Sequence, residues 1–200
     1  MSLKGHTVSA LPQIELAEAT GEAAALLTQV RKSVGSIPNM AKAMANSPAL
    51  LKGWMDLYGA LAGGVLPAAV RERLALATAE YNRCSYCLSA HALLAKSVAK
   101  LHDDEIERAR RAESADPHVA ALLALSDAIA RGRGTIDETA IKTARAAGVT
   151  DAEIAEVIGN LALNILTNYF NIVAHTDNES PRHAARAPLT PRRRGQPVIT

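Results

Sequence analysis

The chain has 200 residues, enough for one large domain or two small ones with a sizeable buried core. Apolar residues make up 48% of it but aromatic residues only 3%, a composition that favours helices over strands. The net charge of +2 gives no general attraction to nucleic acid or to an anionic membrane. No apolar run approaches the ~20 residues that a membrane-spanning helix needs, so we predict neither partner.

Helical periodicity and helix-capping residues continue through most of the chain, and no segment reads as a strand or hairpin. The first predicted helix runs from about Thr20 to Val34, and residues 36–39 after it are predicted to form a turn. Seven further helices are predicted, at about 48–63, 67–82, 84–100, 103–111, 117–131, 137–147 and 150–176. The sequence therefore predicts an all-α fold.

The domain organisation follows from the same pattern. We predict one helical domain over residues 1–180 and a basic, Pro- and Arg-rich tail over residues 181–200. The tail has too little apolar surface to order itself, although it could dock on a neighbouring subunit. Its three consecutive arginines at 192–194 are a weak indication of nucleic-acid binding, which we do not predict.

Only two cysteines occur, Cys84 and Cys87. The N-terminus lacks the apolar core and cleavage site of a signal peptide, so we expect a cytoplasmic protein whose thiols are kept reduced. In that compartment a close pair of cysteines is more often redox-active or metal-binding than a structural disulfide.

The segment from Glu72 to His91 holds the residue types that thiolate chemistry needs. A Cys-x-x-Cys pair at a helix N-terminus can form a disulfide, and the helix lowers the pKa of a thiol there. His91 follows Cys87 by four residues, which places both on one helix face and allows the imidazole to exchange a proton with the thiol. Glu72 lies on the preceding helix and is predicted to orient His91, with Glu80 as the reserve candidate.

The spacing Glu72-x11-Cys84-x2-Cys87-x3-His91 resembles the signature of AhpD-like alkylhydroperoxidases in the carboxymuconolactone decarboxylase superfamily. The upstream residues 35–40 and 47–51 are similar to the peroxidase-related branch of that family. The resemblance implies a helical hydroperoxide reductase without a cofactor, assembled as trimers or hexamers. Cys87 would attack the peroxide, Cys84 would resolve the sulfenic acid as a disulfide, and His91 and Glu72 would relay protons. The donor implied is a thiol of unknown identity.

One position departs from AhpD itself, which carries a histidine between the two cysteines. This chain has Tyr86 there, and tyrosine is a poor base at neutral pH. Tyr86, like Glu80, is therefore a second-tier site residue, and its presence is expected to weaken peroxidase activity of the AhpD type.

An internal comparison suggests two related halves, at about 36–100 and 117–180, with pseudo-twofold symmetry. A shift of 84 residues aligns the four motif residues with Glu156, Asn168, Asn171 and His175. The second copy has lost its thiols, and the alignment predicts that Glu156 and His175 pair. Four asparagines form a polar stripe on the last predicted helix: Asn160, Asn164, Asn168 and Asn171. We interpret this stripe as a hydrogen-bonded packing or subunit contact.

Three alternatives stay open at this point. A lyase of the carboxymuconolactone decarboxylase type needs acid–base residues but no thiols, and a non-catalytic redox sensor would use the disulfide to change subunit contacts. A zinc site built from Cys84, Cys87, His91 and Glu72 has suitable ligand types but lacks a second Cys/His pair, so no metal is predicted.

Overall fold

The computed structural model describes residues 9–179, and every regular element in that range is a helix, which confirms the predicted fold class. The predicted tail lies outside the described residues. In chain order the helices are α1 (Gly21–Val34), α2 (Asn39–Met44), α3 (Pro48–Ala62), α4 (Ala68–Asn82), α5 (Ser85–Ser97), α6 (Asp103–Ala109), α7 (Pro117–Gly132), α8 (Glu138–Ala146) and α9 (Asp151–Ala174).

Helix α4 lies at the centre of the molecule and packs against α5, α6, α7 and α9. One core cluster joins its Leu76 to side chains of α1, α2 and α5, such as Leu27 and Leu88. The second joins its Leu74 to α7 and α9, where Leu123 and Val157 are buried. Because α4 is buried on two faces, the residues at its C-terminal end are held in fixed positions relative to α5 and α9.

Helix α9 begins with a capping box, in which Thr150 and Glu153 satisfy each other's backbone N–H groups. At 24 residues it is long and apolar enough to cross a membrane by length and composition. Half of its apolar window is buried inside the protein, and a buried core helix meets the same criteria. Its inner face is unusual because it is polar, with four asparagines among the buried residues.

The predicted pairing of Glu156 with His175 is wrong. The first motif copy spans two helices joined by a turn, whereas Glu156 and His175 belong to the single helix α9 and its C-cap. Nineteen residues of helix separate them by roughly 28 Å. Both oxygens of the Glu156 carboxylate instead accept backbone N–H groups, from Val65 at 2.7 Å and from Leu66 at 2.9 Å. The pseudo-twofold symmetry of the two halves stays a prediction.

Candidate active site

The turn between α4 and α5 places the two cysteines. Arg83 adopts the left-handed conformation, with φ of 58°, and the Cys84 N–H donates to the Ala79 carbonyl at 2.9 Å. Cys84 then takes the N-cap position of α5, where its sulfur accepts the Cys87 N–H at 3.3 Å. A sulfur at this position receives the partial positive charge of the helix N-terminus.

The two thiols are buried and in direct contact. Cys84 is 1% exposed and Cys87 3% exposed, and their sulfurs lie 2.6 Å apart. Both are free cysteines in this structure. The pair can therefore form a disulfide without rearrangement of the backbone.

The contact shifts the pKa values of the two thiols in opposite directions. The hydrogen bond from the Cys87 thiol lowers the pKa of Cys84, and the Cys87 N–H and the His91 charge act in the same direction against burial. The same contact and burial raise the pKa of Cys87, opposed by the side chains of Asn171 and Asn168. Both shifts favour Cys84 over Cys87 as the thiolate of the pair.

Glu72 and His91 form the predicted pair. The antiparallel return of α5 along α4 brings His91 Nδ1 to 2.8 Å from Glu72 Oε2, and both side chains are mostly buried. Burial lowers the pKa of His91, but the Glu72 carboxylate more than offsets this, so the pKa lies above its ordinary value. His91 therefore keeps its proton closer to neutral pH than a free histidine does.

Two asparagines of α9 complete the surroundings of the thiols. Asn171 Nδ2 donates to the Cys87 sulfur at 3.4 Å, and the neighbouring Asn168 Oδ1 accepts from Asn82 Nδ2 at 3.0 Å. Neither contact was predicted, because the sequence assigned both asparagines to packing. The sequence feature that indicates them is the run of asparagines on one face of an otherwise apolar helix.

A cleft of about 410 Å³ opens beside the cysteines, between the start of α5, the end of α9 and the segment that follows α9. Of the two described thiols, only Cys84 lines this cleft. Asn178 also lines the cleft, and its Nδ2 donates to Ser89 Oγ of α5 at 2.9 Å, which ties the segment after α9 to α5. Of the two sulfurs, the one with the lower pKa therefore lies at the cleft.

Tyr86 supports this wall of the cleft. Its hydroxyl accepts the Met40 N–H at 3.3 Å and donates to Glu179 at 2.8 Å. Burial, reinforced by the Glu179 carboxylate, raises the pKa of Tyr86 above its ordinary value. The residue therefore stays protonated and anchors the segment after α9, which is consistent with the expectation that it is a poor base.

The reserve candidate Glu80 has a different contact. Its Oε2 accepts from Arg110 Nε at 2.8 Å, in an ion pair that ties α4 to the end of α6. Within residues 9–179, no group of three or more His, Cys, Asp or Glu side chains has the arrangement of a metal site.

Residues 48–129 match the family model of the carboxymuconolactone decarboxylase family, and this range holds Glu72, both cysteines and His91. The fold matches the alkylhydroperoxidase AhpD core, an uncharacterized peroxidase-related protein from Ralstonia eutropha JMP134. The TM-score is 0.76 at 21% identity, over 87% of this chain and 94% of that chain. The chain therefore has an AhpD-like fold, and its residues 48–129 match the carboxymuconolactone decarboxylase family. Both findings agree with the resemblance that the sequence predicts.

Two further solved structures are similar over most of their length. A peroxidase-related protein from Silicibacter sp. TM1040 has a TM-score of 0.71 at 21% identity, over 90% of this chain and 95% of that chain. The debrominase Bmp8, in complex with 2,3,4-tribromopyrrole, has a TM-score of 0.69 at 15% identity, over 88% of this chain and 93% of that chain. These likenesses concern the fold. No curated protein matches the sequence significantly.

Proposed function

We propose that this AhpD-like chain is a thiol-dependent hydroperoxide reductase. The observation that carries the proposal is the contact between two buried thiols, one of which lines a cleft, next to a paired histidine and carboxylate. This arrangement supplies a thiolate, a second thiol that can reach the oxidised sulfur, and an acid that can protonate a leaving oxygen.

The first step oxidises one sulfur. The Cys84 thiolate attacks the terminal oxygen of a hydroperoxide, the O–O bond breaks, and the sulfur becomes a sulfenic acid. The departing alkoxide takes a proton from the His91 imidazolium, directly or through water, and leaves as an alcohol. Glu72 favours this protonated form of His91 before the reaction.

The second step forms the disulfide. Cys87 attacks the sulfenic acid on Cys84, a sulfur–sulfur bond forms, and the hydroxyl group leaves with the Cys87 proton as water. Two external thiols, or one dithiol, then return two electrons and two protons in two exchange steps and leave as a disulfide. The first attack falls on Cys84, since this sulfur lines the cleft.

The order of the two thiols has two candidate assignments. The sequence predicts attack by Cys87, because Cys87 lies one helical turn from His91. We favour Cys84, because it lines the cleft and has the lower pKa of the two. The two orders leave the sulfenic acid on different residues, so variants that lack one cysteine separate them.

The test is a single turnover of pre-reduced protein with a small organic hydroperoxide, followed by a count of free thiols. Wild type should consume about one peroxide per cysteine pair and lose both thiols. Cys87→Ser should still consume peroxide and stop at a sulfenic acid that dimedone traps, whereas Cys84→Ser should react slowly. His91→Gln should slow the reaction, and Ser97→Ala, at the far end of α5, serves as the matched control.

Three other outcomes are informative. Trapping of a sulfenic acid in Cys84→Ser, but not in Cys87→Ser, would establish the order that the sequence predicts. Survival of both thiols in wild type would exclude the reductase. Lyase turnover that persists after replacement of both cysteines would favour the decarboxylase-type alternative.

A further inference from the structure

The asparagines on the inner face of α9 divide into two groups. Asn160 Nδ2 and Asn164 Nδ2 donate to backbone carbonyls one turn earlier on the same helix, each at 2.8 Å. Asn168 and Asn171, one and two turns further on, direct their carboxamides away from the helix, toward α4 and α5. The first two side chains therefore find their hydrogen-bond acceptors within α9, whereas the last two face groups on other helices.

Asn171 contacts the deeper thiol. Its side chain is 3% exposed, its Nδ2 lies 3.4 Å from the Cys87 sulfur, and its Oδ1 has no hydrogen-bond partner among the described residues. A buried amide group with an unpaired oxygen is unfavourable for folding. A role in packing alone does not account for a carboxamide at this position, since an apolar side chain of the same size avoids the penalty.

Asn168 is oriented from outside α9. It is fully buried, and its Oδ1 accepts from Asn82 Nδ2 at 3.0 Å. This hydrogen bond fixes the orientation of the carboxamide and leaves its Nδ2 free to face another group. That Nδ2 meets no acceptor at hydrogen-bond geometry among the described residues. Both carboxamides nevertheless act to lower the pKa of the Cys87 thiol. A charged sulfur at Cys87 would strengthen the hydrogen bond from Asn171 and would be stabilised by the nearby Asn168 carboxamide.

We propose that Asn171 is a catalytic residue that stabilises the Cys87 thiolate, and that Asn168, held by Asn82, is a positioning residue for the same sulfur. The inference rests on the proposed function for the steps in which Cys87 carries the charge. One is the formation of the disulfide, when negative charge develops on Cys87 as it passes its proton to the leaving hydroxyl group and attacks the sulfenic acid. The other is its reduction: the external thiolate bonds to Cys84, the sulfur–sulfur bond breaks, and Cys87 leaves with the electron pair as a thiolate.

The first experiment measures the pKa of Cys87 without any peroxide. In a Cys84→Ser background Cys87 is the only thiol, and the ultraviolet absorbance of its thiolate is titrated with pH. Adding Asn171→Leu, which removes the donor at similar volume, should raise this pKa by about one unit, because a hydrogen bond to a charged sulfur is lost. Asn164→Leu is the matched control, since Asn164 is also buried on α9 but donates to its own helix.

The second experiment follows the reaction in protein with both cysteines. Asn171→Leu should form the disulfide about tenfold more slowly than wild type, so that dimedone traps more sulfenic acid at Cys84. Asn168→Leu should show a smaller effect in the same direction, and Asn82→Leu should resemble Asn168→Leu.

An unchanged Cys87 pKa in Asn171→Leu, or an equal shift in Asn164→Leu, overturns the inference. If Asn171→Leu shifts the Cys87 pKa but wild type does not consume peroxide, the donor role of Asn171 is supported and the reductase activity is refuted. The two failures are therefore distinguishable.

Discussion

Among the individual side chains of the site, Glu72 has the most directly measurable effect, because it sets the charge of His91. If the imidazolium donates a proton to the leaving alkoxide, the single-turnover rate should fall as pH rises through the His91 pKa. Glu72→Gln removes the carboxylate that favours the charged form, so that pKa falls. We expect the alkaline limb of the pH–rate profile to move to lower pH, by about one unit.

The matched control is Glu80→Gln, one further carboxylate of α4, whose partner is Arg110. The alkaline limb of this variant should stay at the wild-type pH. An equal displacement in both variants would show a general effect of charge on α4, and the relay assignment would then be wrong.

The sequence predicts the four motif residues because their spacing is local. Cys84, Cys87 and His91 lie on α5 and its N-cap, so helical geometry brings these three together. Glu72 lies on the preceding helix, and the short connection between α4 and α5 makes their antiparallel packing, and hence the contact with His91, predictable. Asn171 contacts Cys87 from 84 residues along the chain. Only tertiary packing establishes that contact, and the asparagine pattern alone indicates no more than a polar face on an apolar helix.

The connection between α3 and α4 depends on a carboxylate from α9. Glu156 accepts the Val65 and Leu66 N–H groups, and a Cβ atom on Gly64 would lie 2.2 Å from its Oε1. Gly64→Ala should therefore displace the carboxylate, break both hydrogen bonds and lower the free energy of unfolding by about 1–3 kcal/mol. Chemical denaturation of the purified variant measures this loss.

A double-mutant cycle tests the cause. Glu156→Ala should lower the free energy of unfolding by a similar amount. The loss in the double variant should be much smaller than the sum of the two single losses, because both changes remove the same hydrogen bonds. Gly63→Ala is the control, since its nearest contact would be an ordinary one at 3.6 Å. Additive losses would contradict the assigned contact.

Helix boundaries were predicted well where a cap or breaker marks them. Pro48 and Pro117 begin α3 and α7, and Gly35 ends α1 in the left-handed conformation with φ of 85°. Helix α2 was missed, because its six residues are too few to show a helical period and residues 36–39 before it resemble a turn. The C-terminal ends of α5 and α9 were placed two or three residues too late, since no glycine follows either helix.

For the molecule as a whole, the outer face of α9 is an apolar surface that a second copy of the chain could cover. Apolar side chains are exposed along it at helical spacing, with Tyr169 56% and Val173 72% exposed; the set is Ile158, Leu166, Tyr169, Ile172 and Val173. A contiguous exposed apolar stripe is typical of an interface. We therefore expect a second copy of this chain to cover the stripe, in the trimer or hexamer that the family resemblance implies.

The expected test is sedimentation of wild type and of Tyr169→Glu at matched concentration. Wild type should sediment with the mass of three or six chains, and Tyr169→Glu should shift toward the monomer, because burying an unpaired carboxylate in an apolar interface is costly. Thr143→Glu adds the same charge to an exposed position on α8 and should leave the mass unchanged. A monomeric wild type would refute the assembly.

Because Ile172 belongs to both the stripe and the cleft, loss of the neighbouring chain should also change the rate with which peroxide oxidises Cys84.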